Sequence, residues 1–336
     1  MEVIVCYPPQ AVSMSKVASV ISKFFIDEGF NVYHVNVLSM VLPTRMVDAA
    51  IIVDTCMPPS YLRVVQKMGL ASKRIFAYDV EGIPLISPAM ANTLNMWFYN
   101  IPASRLSAEC GRQVGLRIDG VVPRAIDFNY YQTVNEDLVE SFREKYGDFF
   151  LFIGAMHKMA MVQRKGLDTL FKAWQLSTLR NHKVRLVVVT NHHPREFGME
   201  VPEGVELLVN FGGFTEEEIK ALYKASLGLV FPSRCEGFGL PPLEAMALRV
   251  PVIFSDAPAH NEFAVGVKVK CVKKWYYDTP WGIRQIMHEV SPQDLAEAME
   301  RVYYDGVKDI INKAYEKAKQ YDYRYALKGY LRFIGG

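Results

Sequence analysis

Residues 231–244 read FPSRCEGFGLPPLE, which places Glu236 and Glu244 on either side of a Gly-Phe-Gly turn. The apolar run LGLVF (227–231) precedes this stretch and VPVIF (250–254) follows it, so the segment predicts strand, loop, helix, strand. Glu236 then falls on the loop and Glu244 about a turn into the helix. Gly237 and Gly239 carry no side chain to shield their amides, and a helix starting over Leu240 to Pro242 adds unpaired N–H groups with partial positive charge. Pro241 and Pro242 fit a first helical turn, where a missing N–H costs no intrahelical bond. Such a loop suits an anion. A diphosphate there gains roughly 0.3–1 kcal/mol from the helix end, rising to about 2 kcal/mol when partly buried.

Glu244 has two acceptor oxygens and can take both hydroxyls of a ribose, while Glu236 can take sugar hydroxyls from the loop. Taken singly, Glu244 reads more readily as a solvated or dipole-compensating helix residue and Glu236 as a loop charge. The whole string shifts that balance: EGFGLPPLEAMALRVPVIFSD (236–256) resembles the signature of the retaining GT-B glycosyltransferases known as glycosyl transferases group 1, with their E-x7-E motif. The resemblance implies that Glu236 contacts the donor sugar, that Glu244 holds the ribose, and that the amides of Gly237, Phe238, Gly239 and Leu240 face the sugar and phosphates.

Upstream, FLFIGAMHKMAMVQRKGLDTLFKAW (150–174) is similar to the family's strand, basic loop and helix, with Lys165 at the place of its phosphate-binding lysine. NFGGFTEEEIKALYKASLGLVFPS (210–233) is similar to the loop that flanks the base, which puts Gly213 and Phe214 beside the nucleotide. Asn191 follows the strand VVVT at a place where the nucleotide can pass. Together these matches cover most of residues 148–304.

Sugar transfer needs the charge growing on the leaving phosphate to be stabilised. No D-x-D string occurs, so the expected providers are Lys165, Arg164 and the helix start near Leu240, without a metal or other cofactor. His157 and Lys158 are further basic candidates on the same loop. His192 and His193 are adjacent and unsuited to sharing a metal in the manner of an i, i+4 pair, and His260 reads as a local loop residue.

The first half shows apolar runs at 2–6, 31–37, 49–53 and 74–78, with amphipathic stretches between them, and the second half repeats the pattern at 149–154, 184–190, 205–209, 227–231 and 250–254. Alternating strands and helices predict an α/β architecture of doubly wound parallel sheets. The resemblance implies a GT-B fold: two Rossmann-like domains facing each other across a cleft, with a C-terminal helix crossing back. The expected bounds are 1–147 for an acceptor-side domain, 148–318 for the nucleotide-sugar domain and 319–336 for the returning helix.

The first domain departs from the family. Its opening loop, YPPQAVSMSK, lacks a glycine pair, leaving Ser13 or Ser15 as a substitute or a helix cap. YDVEGIP (78–84) resembles the segment facing the reacting sugar but has no histidine, so Asp79 and Glu81 become acceptor-side candidates, with turn carboxylates as the alternative. VVPRAID (121–127) carries Arg124-Ala125 where the family has Asn-Gly.

The chain has 336 residues, half of them apolar, and a formal net charge of only +2, which suits two domains and argues against a nucleic-acid partner. The five cysteines are scattered without a C-x-x-C pair, pointing to a reducing compartment rather than disulfides or zinc. No leader and no apolar stretch of membrane-spanning length is seen, so a soluble, cytoplasmic protein is expected. MWFY (96–99) offers a surface for peripheral membrane contact, with burial in the core as the alternative. The expected activity is retaining, metal-independent transfer of a hexose from a UDP- or GDP-sugar to a glycan, lipid or small-molecule acceptor. A nucleotide-sugar 2-epimerase, or a binding protein that has lost the chemistry, are the alternatives.

Overall fold

The computed structural model describes residues 1–8, 12–36, 45–54, 71–156, 164–280 and 282–335. The chain divides into two units. The first comprises residues 1–127, 278–285 and 320–336, and the second residues 128–277 and 286–319.

The first unit is built on a parallel sheet of β1 (Glu2–Tyr7), β2 (Asn31–Asn36), β3 (Val47–Asp54), β4 (Ala71–Tyr78) and β6 (Tyr99–Pro102) in the order β2-β1-β3-β4-β6. The central strands β1 and β3 and the second half of β4 read as near-continuous apolar runs because both faces are covered. IIV of β3 and IFAY of β4 are buried, against Leu94 and Cys110 among others. Helix α1 (Val12–Asp27) is followed by Gly29 at φ 82, a left-handed stop that glycine adopts without strain. The short strand β5 (Gly82–Pro84) pairs antiparallel with residues 283–285 of β14 (Ile283–Val290). A Cβ on Gly82 would lie 2.1 Å from Arg284 O, so this crossing admits only glycine. The chain also returns here at its end, where Ile126 bridges to Asp322 and the Tyr323 hydroxyl donates to Asp27 at 2.5 Å.

The second unit carries β7 (Phe149–Ile153), β8 (Arg185–Thr190), β9 (Val205–Val209), β10 (Gly228–Phe231), β11 (Val252–Ser255) and β12 (Val267–Val269), in the order β12-β11-β10-β7-β8-β9. Every pairing is parallel. Read from the other edge, this is the doubly wound dinucleotide-fold order, and the strand sequence reverses between β7 and β10. Ligands of such sheets bind beyond the carboxyl ends at that reversal, where the chain emerges as Gly154 on one side and Pro232 on the other.

Residues 128–147, placed in the first domain by the sequence, belong to the second unit. A buried cation anchors part of this stretch there. Lys220 donates to Tyr130 O at 3.0 Å and Thr133 O at 2.8 Å, pairs with Glu217 at 2.9 Å, and lies 3.7 Å from the Tyr130 ring centroid. Lys220 sits on helix α6 (Glu216–Ala225), against which α4 (Glu136–Tyr146) also packs. Conversely, residues 278–285 join the first unit through the β5 pairing.

The aromatic run 96–99 divides: Phe98 is core, while Met96, Trp97 and Tyr99 are exposed, with Arg74 stacked on Trp97. Among the described residues, no helix is long and apolar enough to cross a membrane.

Candidate functional site

Two loops meet at the reversal point of the second sheet. One ends in Arg164, Lys165 and Gly166 before helix α5 (Leu167–Leu176), and the other runs from Pro232 to Gly239 before helix α7 (Leu240–Ala247). Gly166 has φ 72, and a Cβ there would sit 2.2 Å from Pro232 O, so the close approach of the two loops depends on a bare glycine. Backbone bonds lock the crossing, with Arg234 N donating to Arg164 O at 2.8 Å.

Glu236 lies at the centre, buried with only 6% of its surface exposed. Its Oε1 accepts from Lys165 Nζ at 2.5 Å and from the Ser233 hydroxyl at 2.6 Å, and its Oε2 accepts from Arg164 at 2.8 Å. Arg164 also donates to Cys235 O at 2.9 Å. Burial by itself would raise the Glu236 carboxyl, but the two cations and the serine outweigh it and hold the group well below its ordinary range. The carboxylate is therefore ionised, oriented and paired with both cations that the sequence singled out for phosphate.

Gly239 caps α7 at φ 96, and Pro241 and Pro242 occupy its first turn. The helix thus starts as expected, with the donors of its first turn beside the 236–239 turn. Glu244 stands on α7, buried, accepting from the Tyr223 hydroxyl at 3.1 Å. Burial, then the charge of Glu244, pushes the Tyr223 phenol well above its ordinary value, so the hydroxyl keeps its proton and remains a donor. Asn191 is exposed after β8 and accepts from Met156 N at 2.7 Å, tying the segment after β8 to the one after β7. Gly213 packs against Asn210, where a Cβ would lie 2.0 Å from Oδ1; it is exposed, and Phe214 is half-buried, before α6.

Several supporting residues were not singled out in the sequence. Arg234, almost fully buried, grips Asp168 through bonds of 2.7 and 2.8 Å and also donates to Thr169 at 2.8 Å, fastening the Glu236 loop to the start of α5. Ser233 and Tyr223 hold the two glutamates. The only signal for them is position, since Ser233 and Arg234 fall between the motif strand and its first glutamate.

Other candidates have local partners of their own. His193 caps the turn at 194–197 by accepting from Arg195 N, and His192 lies 3.6 Å from Glu196. His157 and Lys158 fall outside the described residues. In the first unit, Asp79 is buried at the carboxyl end of β4 and accepts from Arg124 Nε at 3.0 Å. Arg124, which replaces the family's asparagine, is thus a buried partner for an acceptor-side candidate. Glu81 is half-buried and accepts from Gln285 at 3.2 Å, whereas Ser13 is exposed at the start of α1. Among the described residues, no group of three or more His, Cys, Asp or Glu side chains is arranged to hold a metal ion.

A profile of the glycosyl transferases group 1 family matches residues 147–305. Glycosyltransferase 335 of Sulfolobus islandicus rod-shaped virus 1, itself uncharacterized, is 30% identical over 274 residues, covering 78% of this chain and 79% of the viral protein. The O-antigen chain mannosyltransferase RfbU of Salmonella typhimurium is 56% identical over 45 residues, 13% of each chain. Among solved structures, Anabaena HepE in complex with UDP and glucose superposes with a TM-score of 0.72 at 14% identity, covering 99% of this chain and 98% of HepE. That likeness identifies the two Rossmann-like units as a GT-B-like fold. Identity running through most of the viral relative, joined to the profile match across the loops just described, places this chain in the glycosyl transferases group 1 family as a glycosyltransferase.

Proposed function

We propose that the protein transfers a hexose from a UDP- or GDP-sugar, with retention of anomeric configuration and without a metal, to a glycan, lipid or small-molecule acceptor. The observation that carries this reading is the buried Glu236 carboxylate held between Arg164 and Lys165 at the reversal point of the second sheet. Two cations fixed within 2.8 Å of a sugar-binding carboxylate stand where a diphosphate attached to that sugar would need them. The amides of Gly237 to Leu240 and the start of α7 supply further donors for the phosphates. Glu244 takes the ribose hydroxyls, and Asn191, Gly213 and Phe214 lie along the path of the base. The mannosyltransferase named among the relatives and the UDP and glucose held by HepE support this choice of donor class.

In the reaction, an acceptor hydroxyl attacks the anomeric carbon from the face that the phosphate leaves. The carbon–oxygen bond to the diphosphate breaks, the new glycosidic bond forms, and the hydroxyl proton passes to the departing phosphate. Arg164 and Lys165 neutralise the charge that accumulates on that phosphate. Asp79 and Glu81 are the acceptor-side carboxylates, with Arg124 orienting the first, and Ser13 stands at the opening loop.

The test is a screen of UDP- and GDP-hexoses by thermal shift, followed by turnover in the presence of EDTA and NMR of the product anomer. Stabilisation by a nucleotide sugar, chelator-resistant turnover and a retained anomer are expected. Loss of turnover in EDTA, or an inverted product, overturns the corresponding part of the proposal.

A further inference from the structure

His260 lies on helix α8 (Pro258–Phe263) directly after β11, and it is completely buried. The ring sits edge-on to Phe231, centroids 5.2 Å apart, and the Lys165 ammonium is 5.4 Å from the same Phe231 centroid. Its Nδ1 is 3.1 Å from Ser255 O. A carbonyl oxygen only accepts, so Nδ1 carries the hydrogen and Nε2 carries the lone pair. Nε2 has no hydrogen-bond partner and faces the inner side of the donor turn: a Cβ placed on Gly239 would lie 3.6 Å from it and 3.5 Å from Glu236 Cγ. Burial lowers the imidazole below its ordinary value, against the pull of Glu236, which keeps the ring neutral and this tautomer in place.

From His260 a relay runs to the reactive centre. The imidazole fixes the main chain of Ser255, the Ser255 hydroxyl donates to Ser233 O, and the Ser233 hydroxyl donates to Glu236 Oε1 at 2.6 Å. Because Ser255 spends its hydroxyl hydrogen on Ser233, its hydroxyl oxygen, 3.4 Å from Nδ1, can only accept from the ring, which holds the main-chain oxygen more closely at 3.1 Å. Each link is buried, so water cannot replace a missing one without a rearrangement.

We propose that His260 is a positioning residue for the donor sugar, setting the orientation of Glu236 through Ser255 and Ser233. The inference rests on the donor-site reading above, since Glu236 is the sugar-contacting group there. It predicts a signature that a purely structural role lacks: sugar recognition suffers while nucleotide recognition does not.

The experiment compares the unaltered protein with His260→Phe, which keeps an aromatic ring but donates nothing, and His260→Asn, whose amide can still donate to Ser255 O. Calorimetric titrations use UDP-glucose and GDP-mannose beside free UDP and GDP. Loss of one buried hydrogen bond predicts that His260→Phe binds the preferred nucleotide sugar about tenfold more weakly, with free nucleotide changed less than about twofold. His260→Asn recovers most of the difference. The free nucleotide doubles as a test of folding in each variant. Equal weakening of sugar-bearing and sugar-free nucleotides, no weakening at all, or an asparagine variant no better than phenylalanine overturns the positioning role. An unaltered protein that binds no nucleotide sugar overturns the proposed function itself, and with it this inference.

Discussion

Arg234 and Asp168 form a two-pronged ion pair of 2.7 and 2.8 Å that joins the loop bearing Glu236 to the first turn of the helix following Lys165. The guanidinium is buried, while a third of the Asp168 side chain remains in contact with solvent. Arg234→Lys removes the second prong and leaves a compact cation where a planar fork was matched. We expect a loss of about 1–2 kcal/mol in urea unfolding, less than for removing one partner of a buried pair, because lysine keeps the charge and Asp168 is partly hydrated. Turnover should fall more than stability accounts for, because the loop no longer presents Glu236 at a fixed distance from Arg164.

Glu236 gives the protein a defined acid sensitivity. Its carboxyl is held below the ordinary value of 4.5, so as pH falls past 4.5 the unfolded chain takes up a proton that the folded chain refuses. Stability from this group is therefore complete above the ordinary value and is lost as pH drops toward the folded value. Unfolding midpoints measured from pH 7 to pH 3 should fall steeply below about pH 5, and Glu236→Gln should flatten that fall while costing about 1–3 kcal/mol at neutrality by removing the buried negative charge that faces Arg164 and Lys165. Identical slopes in the two proteins would refute the assignment.

The second unit was the more readable because its constraints are local. The strands near 149–154 and 227–231 appear within a residue or two of their expected positions, since fully buried parallel strands are written as continuous apolar runs, and the half-buried edge strand near 205–209 follows from its own apolar residues. The Glu236 loop was readable for another reason: glycines and prolines record backbone geometry directly. Arg234 and Lys220 escaped notice because a charged residue normally signals surface, and nothing local reveals that Asp168 or the carbonyls of Tyr130 and Thr133 will come to meet it. β13 (Cys271–Asp278) was missed likewise: CVKKWYYD mixes charges and aromatics because much of the strand is exposed. Arg124 read as a departure from the family, and only the fold shows its partner, Asp79, 45 residues away in sequence.

Gly166 and Gly198 separate backbone strain from steric conflict. Both are left-handed with φ 72, but a Cβ on Gly198 meets nothing within 4 Å whereas one on Gly166 meets Pro232 O at 2.2 Å. Gly198→Ala should cost only the left-handed penalty, about 1 kcal/mol. Gly166→Ala has to push the two site loops apart as well, and a loss of about 3 kcal/mol or more is expected, with nucleotide-sugar binding abolished. Thermal unfolding of both variants, with equal shifts as the contrary result, decides whether the loops meet as closely as described.

Tyr223 offers the last test, on the ribose side. Its hydroxyl donates to Glu244 at 3.1 Å and stays protonated throughout the working range, so Tyr223→Phe removes one buried donor and leaves the ring's packing intact. The cost to folding should be about 1 kcal/mol, the usual net value of such a bond. Freed from the phenol, the Glu244 carboxylate can rotate, and KM for the nucleotide sugar should rise about three- to tenfold with kcat little changed, because the ribose is held equally in ground and transition states. Free nucleotide should weaken in parallel, in contrast to the His260 variants, since the ribose is present with or without the sugar. A Tyr223→Phe enzyme that loses kcat and keeps KM would move Glu244 away from the ribose and toward the reacting centre.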